Sequence, residues 1–237
     1  MNFTWRVSIS SRGMIMSKNI SIEEKIHNAN DQLAQMIKDQ LREAELFSLN
    51  IMASPGAGKT SLIEKTLEAM IPEYKFAAVD GDIATSIDAD RAAEAGATAV
   101  QINTGGQCHI DANMLQIALQ ELDLGSFDIL LVENVGNLIC PASFSLGTDK
   151  NVLIASIPEG DDKPYKYPGM YQDVDALIIN KIDLHPYVEF DMDYFIQGVK
   201  ILNPDLVIFP LSCRTGDGIQ DWVTWVKDHI QKFKKIR

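Results

Sequence analysis

The sequence predicts an α/β fold: a mostly parallel central sheet flanked by helices, preceded by one further N-terminal helix. Three observations predict it. From Phe47 onward, short apolar runs alternate with amphipathic segments, the order produced by a parallel sheet covered on both faces. A glycine-rich turn at Ala53–Thr60, reading A-S-P-G-A-G-K-T, separates one such run from one such segment. In that strand–turn–helix setting, backbone N–H groups cradle phosphates. A chain of 237 residues, 46% apolar and 23% charged, has enough apolar material for one sizeable core.

Residues 1–20 are expected to be disordered, the first dozen or so deriving from an upstream start codon or lacking order. Met1–Gly13 holds Arg6 and Arg12 but no apolar h-region or cleavage site, and Met14 and Met16 follow closely. Residues 21–46 read as a helix, Ile22–Leu46, with Ser21 as N-cap and Glu24 three residues on. Its apolar stripe is Ile26, Leu33, Met36, Ile37 and Leu41, interrupted at Ala29. Residues 47–237 read as one nucleotide-binding domain without repeats or linkers. Strands are expected at Ser48–Ala53, Phe76–Asp80, Ala99–Asn103, Phe127–Glu133, Val152–Ile157, Ala176–Asn180 and Val207–Leu211. Helices are expected at Thr60–Met70, Asp88–Glu94, Asp111–Leu122, Met192–Leu202 and Gly218–Phe233.

Charge and cysteine usage narrow the function classes. A net charge of −12 argues against a nucleic-acid partner, since phosphate backbones are met by basic faces. No apolar run reaches the length of a membrane span. Three cysteines without a secretion signal are no disulfide framework and fit a reducing cytoplasm.

In the phosphate loop, Gly56, Ala57, Gly58, Lys59, Thr60 and Ser61 are the expected nucleotide contacts. Gly56 and Gly58 permit close approach, Lys59 reaches the β and γ phosphates, and the Thr60 hydroxyl holds Mg²⁺. The first position of the pattern is Ala53 instead of glycine. A second motif, Asn180-Lys181-Ile182-Asp183, follows the sixth expected strand. Asp183 can accept from N1–H and the 2-amino group of guanine, donors that adenine lacks, so an adenine would leave the carboxylate unpaired. Lys181 can lay its stem over the ring, and Asn180 can brace neighbouring loops. N-K-x-D alone arises by chance in roughly one chain in thirty of average composition. Downstream of a phosphate loop and at a strand end it selects GTP over ATP. Ser212, Cys213 and Arg214, in S-C-R-T-G, are expected to meet guanine O6 through backbone N–H groups.

Carboxylates beside the phosphates complete the expected GTPase site. Asp82, in Asp80-Gly81-Asp82, Asp88 and Glu133 are candidate Mg²⁺ ligands with Thr60, and Gly136 can offer its N–H to the γ-phosphate. Lys59, Thr60, Asp82 and Glu133 are thus the expected catalytic set. No Gln or His is obviously placed to orient water, so slow hydrolysis is expected. Cys108-His109, after a T-G-G-Q turn entering a helix, and Cys140, four residues past Gly136, form a candidate metal site. Two thiolates and an imidazole suit Ni²⁺ or Zn²⁺, with a fourth ligand from water or a partner chain. Lone cysteines are more often small apolar residues, so the argument rests on the neighbouring switch. His27, His185 and His229 have no local ligand partners and read as surface or packing residues.

Together the segments P-G-A-G-K-T, T-G-G-Q-C-H, E-N-V-G-N-L-I-C-P, P-E-G-D-D-K-P-Y-K-Y-P and N-K-I-D-L-H-P-Y resemble the HypB nickel-incorporation GTPases, from about Ile22 to the C-terminus. The related urease accessory GTPases, UreG, carry C-P-H and E-S-G-G where this chain differs. The resemblance implies a SIMIBI-class P-loop GTPase that forms a homodimer on binding GTP. It also implies work beside a HypA-type metallochaperone in delivering nickel to a hydrogenase large-subunit precursor. It makes Cys108, His109 and Cys140 a metal site shared across the dimer, and it brings Lys163 and Lys166 towards nucleotide or partner. Met1–Leu46 holds no cysteine and only His27, so the N-terminal C-x-x-C-G-C site and the histidine-rich storage tract of some members are not expected. Competing readings are a GTPase accessory protein for urease or a cobalamin enzyme, a metal-storage or sensing module, and an ATP-dependent small-molecule kinase; Asp183 argues against the last.

Overall fold

The computed structural model describes residues 8–10, 13–15, 22–82 and 85–235. Within the first 20 residues, β1 (Ser8–Ser10) and β2 (Gly13–Ile15) pair as an antiparallel ribbon. The rest of that stretch, and the expected cap Ser21, lie outside the described residues.

Next come α1 (Ile22–Glu43), β3 (Phe47–Ala53), α2 (Lys59–Met70), β4 (Phe76–Asp82), α3 (Ile87–Glu94), β5 (Thr98–Asn103) and α4 (Ala112–Leu119). The second half holds β6 (Ile129–Glu133), β7 (Lys150–Ser156), the short α5 (Lys163–Lys166) and α6 (Gly169–Gln172), β8 (Ala176–Asn180), α7 (Met192–Leu202), β9 (Val207–Pro210) and α8 (Ile219–Lys235). Seven strands form one sheet in the order β5-β4-β6-β3-β7-β8-β9, every pair parallel. Each strand expected from the sequence is present, with ends shifted by up to two residues.

The central strands are apolar runs because both their faces are covered. Side chains alternate along them: Ile129 and Leu131 of β6 enter the core under α2 and α8, while Leu130 and Val132 enter the core under α1 and α4. A third core packs α6 and α7 on β7 and β8 around Tyr171, Phe195 and Val199. Trp222 of α8 is fully buried and donates its indole N–H to Thr66 Oγ1 at 2.9 Å, so the largest core side chain leaves no orphan donor.

Helix α1 differs from the sequence expectation in phase and length. Its buried stripe is Asn30, Ala34, Ile37 and Leu41, with Leu33 partly covered, while Ile26 is 53% and Met36 64% exposed. Spacings of four, three and four residues keep one face to the core, and Met36 lies about 100° round from Ile37. The helix stops at Glu43, not Leu46, because Leu46 turns in to full burial beside the sheet. Likewise α4 covers Ala112–Leu119 in place of Asp111–Leu122: Asp111 is its N-cap, accepting from the Met114 N–H at 2.8 Å.

Candidate functional site: a nucleotide cleft joined to a thiol pair

The loops that follow β3, β4, β6, β8 and β9 gather at the carboxyl edge of the sheet, where open parallel sheets bind ligands. Gly58 caps α2 at φ +108°, and a Cβ there would lie 2.3 Å from Asn180 Nδ2. Only glycine lets the two nucleotide loops close on each other. They are tied where they meet: Asn180 Nδ2 donates to the Ala57 carbonyl at 2.9 Å and Lys181 Nζ to the Gly56 carbonyl at 2.6 Å. Asn180 Oδ1 accepts from the N–H groups of Lys181 (2.7 Å) and Cys213 (3.2 Å). One buried carboxamide therefore sets the phosphate loop, the N-K-x-D loop and the S-C-R loop in register.

Asp183 Oδ1 accepts from Ser212 Oγ at 2.6 Å, and Ser212 Oγ accepts from the N–H groups of Arg214 and Thr215. The carboxylate is thus aimed across a cleft of about 320 Å³ lined by Gly58, Ser61, Lys181, Asp183, Cys213 and Arg214. Burial pushes the Cys213 thiol up to about 11, so it is a neutral wall residue of that cleft.

At the phosphate end, Thr60 Oγ1 donates to Glu133 Oε1 at 2.9 Å. Asp80 and Glu133 are register partners on adjacent strands β4 and β6, and with Asp88 they bring ligand oxygens within 4.8 Å of one another. Burial, with Asp88 and Asp82 adding, pushes the Asp80 carboxyl up to about 7. Glu133 is pushed up to about 8 by burial, with Asp80 adding and Lys59 opposing. Asp80 Oδ2 is buried without a hydrogen-bond partner. An orphaned acceptor within a cluster of raised carboxyls is what a hard divalent cation would satisfy, so the residues fit Mg²⁺.

Of the sequence candidates, Thr60, Asp88 and Glu133 therefore meet at one point. Asp82 lines the same cleft but stands outside that cluster, and its Oδ1 accepts from the Thr85 N–H at 2.9 Å. Asp80 takes its place in the cluster. The available signal was D-G-D at a strand end; choosing its first acid needed the β4–β6 register, which one chain's pattern does not contain. Asp88 also pairs with Arg91, which grips Glu64 of α2 through two bonds of 2.9 and 2.7 Å.

After Glu133 the chain runs against the phosphate loop. A Cβ on Gly136 would sit 3.0 Å from Pro55 backbone atoms. The Asn137 N–H donates to the Ala53 carbonyl, and its Oδ1 accepts from the N–H groups of Ile139 and Cys140. This anchored loop brings Cys140 to Cys108 and His109, whose ligand atoms all lie within 4.8 Å. The two sulfurs meet directly, and both thiols are free. A tetrahedral site with 2.3 Å metal–sulfur bonds has an edge of about 3.8 Å, within the span over which the three ligand atoms gather. The hydrogen bond to Cys108 holds the Cys140 thiol above its ordinary range, with burial adding. Burial holds His109 below the ordinary histidine range, which favours the neutral, ligating imidazole, and its ring stacks on Phe144 at 3.9 Å. Cys108 lies three residues before the Asp111 cap of α4. Lys163 borders a neighbouring cleft with Ser54, Gly136, Leu138 and Glu159, while Lys166 pairs with Asp162.

Comparison with known proteins places the fold in a family. Residues 47–210 match the family model for the CobW/HypB/UreG nucleotide-binding domain. Hydrogenase maturation factor HypB of Azotobacter vinelandii is 41% identical over 215 residues, covering 91% of this chain and 71% of that protein. Among solved structures, HypB from Helicobacter pylori in complex with nickel superposes with a TM-score of 0.82 at 36% identity, covering 86% of this chain and 96% of that one. Hydrogenase maturation factor HypB from Archaeoglobus fulgidus gives 0.80 at 36% identity, covering 86% and 99%. Matched by that model over more than half of its length, and 41% identical to a HypB over nine-tenths of it, the chain belongs to the HypB family of CobW/HypB/UreG nucleotide-binding proteins.

Proposed function

We propose that this protein is a GTP-hydrolysing metallochaperone that assists nickel insertion during hydrogenase maturation, with GTP state coupled to metal binding. The observation that supports it is covalent: Glu133, at the phosphate end, and Cys140, at the thiol pair, belong to one loop anchored on the phosphate-loop strand by Asn137. Gly136, between them, packs on Pro55 of the phosphate loop. A γ-phosphate that draws Gly136 must also move Cys140. The relatives' names, and the nickel in the H. pylori complex, support the choice of cargo.

In this reading Asp183 selects guanine and Lys59 binds the β and γ phosphates. Thr60, Glu133 and Asp80, with Asp88, would hold Mg²⁺, which supplies charge neutralisation at the phosphates. Asp82 contributes from the cleft wall. Cys108, His109 and Cys140 take Ni²⁺ as cargo; their thiolate and imidazole donors also suit Zn²⁺. The protein works in the cytoplasm as a homodimer formed with GTP, beside a HypA-type metallochaperone and a hydrogenase large-subunit precursor. No helix among the described residues is long and apolar enough to cross a membrane.

The test is nickel titration with GDP and with a non-hydrolysable GTP analogue, on wild type and on the Cys108→Ala/Cys140→Ala double variant. Tight binding that needs both cysteines and differs between nucleotides is expected. Binding that survives loss of both cysteines would place the cargo site elsewhere. Binding that ignores the nucleotide would leave a GTPase without this coupling.

A further inference from the structure

The loop connection explains how nucleotide state reaches Cys140, but Cys108 and His109 lie on a different segment, between β5 and α4. A buried carboxamide bridges the two. Asn134, the residue after Glu133, is fully buried. Its backbone N–H donates to the Ile51 carbonyl on the phosphate-loop strand at 2.9 Å. Its Oδ1 accepts from the Ile110 N–H at 3.0 Å and from the Val135 N–H at 3.0 Å. Its Nδ2 donates to Asn50 Oδ1 at 3.2 Å, and Asn50 passes the chain on to Asn151 at 3.1 Å. Ile110 directly follows His109.

Two residues on, the same segment is held again. The Ala112 N–H donates to Asn30 Oδ1 at 2.9 Å, and Asn30 Nδ2 donates to the Ser145 carbonyl at 2.8 Å. That second bond leads to the chain just beyond Cys140. The segment carrying two of the three metal ligands is therefore fixed at two backbone N–H groups, one by the residue adjoining the magnesium-type carboxylate. A side chain here accepts from two N–H groups and donates to a third amide, as asparagine does; an aspartate carboxylate would keep only the two acceptances, and leucine neither. A buried N–H that lost its partner would carry the full desolvation penalty, so Ile110 follows Asn134 when the loop shifts.

We propose that Asn134 is a positioning residue: it converts movement of the Glu133–Gly136 segment into movement of Cys108 and His109, while the covalent chain moves Cys140. One loop then sets both halves of the thiol site, and nucleotide exchange alters ligand spacing from two sides. This rests on the coupling reading proposed above.

The experiment measures nickel affinity with GDP and with a non-hydrolysable GTP analogue for wild type, Asn134→Ala and Asn134→Asp. Amide exchange at Ile110 is followed by NMR in the wild type. Wild type should show a ratio of roughly fivefold or more between nucleotides. Asn134→Ala should bring the ratio close to one, and Asn134→Asp, which keeps the acceptor for Ile110, should retain most of it. Ile110 exchange should differ between nucleotide states. A wild-type ratio kept in Asn134→Ala would overturn the role of Asn134 while leaving nickel delivery intact. So would identical Ile110 exchange in both states, which decides the matter even if the alanine variant does not fold. A wild-type ratio of one would instead defeat the coupling reading on which this rests.

Discussion

Asp80 and Glu133 stand opposite each other on two paired parallel strands and are both buried, so each holds its proton far above the ordinary carboxylate range. Their values, about 7 and about 8 against 3.8 and 4.5, make this pair hold protons near neutral pH. The sign follows from linkage. From about pH 4 to pH 8 the folded chain binds more protons here than the unfolded chain, so this pair's contribution to stability falls as pH rises. A cation at the cluster favours the charged forms and must expel those protons. Mg²⁺ affinity is therefore predicted to rise steeply between pH 6 and pH 8.5, with up to two protons released per ion at the lower pH. Calorimetry in buffers of different ionisation heat reads the release directly. Affinity that is flat with pH, with no proton release, would mean that these two carboxyls are not the ligands. The same residues show what was hidden in the sequence. Glu133 was legible because it closes an apolar strand in an E-N-V-G run. Asp80 was not, because its claim rests on standing opposite Glu133 in register.

Helix α1 carries this lesson one scale up. The central strands were legible as apolar runs bounded by turns because both their faces are buried and leave no polar alternation to mislead. Helix α1 covers one face only, and its pattern is impure. Asn30 sits in the buried stripe because its carboxamide bonds to Ala112 and Ser145, while Met36 sits outside it. Hydrophobicity alone therefore assigns Asn30 to water and Met36 to the core, the reverse of what is found. The two sides of the helix should answer mutation oppositely. Ile37→Ala empties a site with no exposed surface and is predicted to cost about 3 kcal/mol of unfolding free energy. Met36→Ala, at 64% exposure, is predicted to stay within about 0.5 kcal/mol. Urea unfolding of both variants measures the contrast, and equal losses would mean that α1 packs on another face.

One chain brings three donors to its thiol site, and nickel or zinc asks for at least four. Either water completes the shell or a second copy does. A net charge of −12 per chain makes the second option costly at long range, since two like-charged bodies must approach and the repulsion is screened only beyond about 10 Å at moderate ionic strength. A divalent ion held between the copies offsets that repulsion where it is strongest, and it lowers the charge of the thiolates that bind it. Cargo and assembly should then depend on each other. With a non-hydrolysable GTP analogue, nickel is predicted to tighten the dimer, raising the dimer fraction in sedimentation at dilutions where the analogue alone leaves monomer, with one ion bound per two chains at saturation. The Cys108→Ser/Cys140→Ser variant should lose the nickel-dependent part of that shift. Raising the salt from low to physiological ionic strength should strengthen association, because screening removes repulsion without removing the coordinate bonds. One ion per chain on a protein that stays monomeric would show instead that water completes each site, and that the two copies meet, if at all, through the nucleotide loops alone.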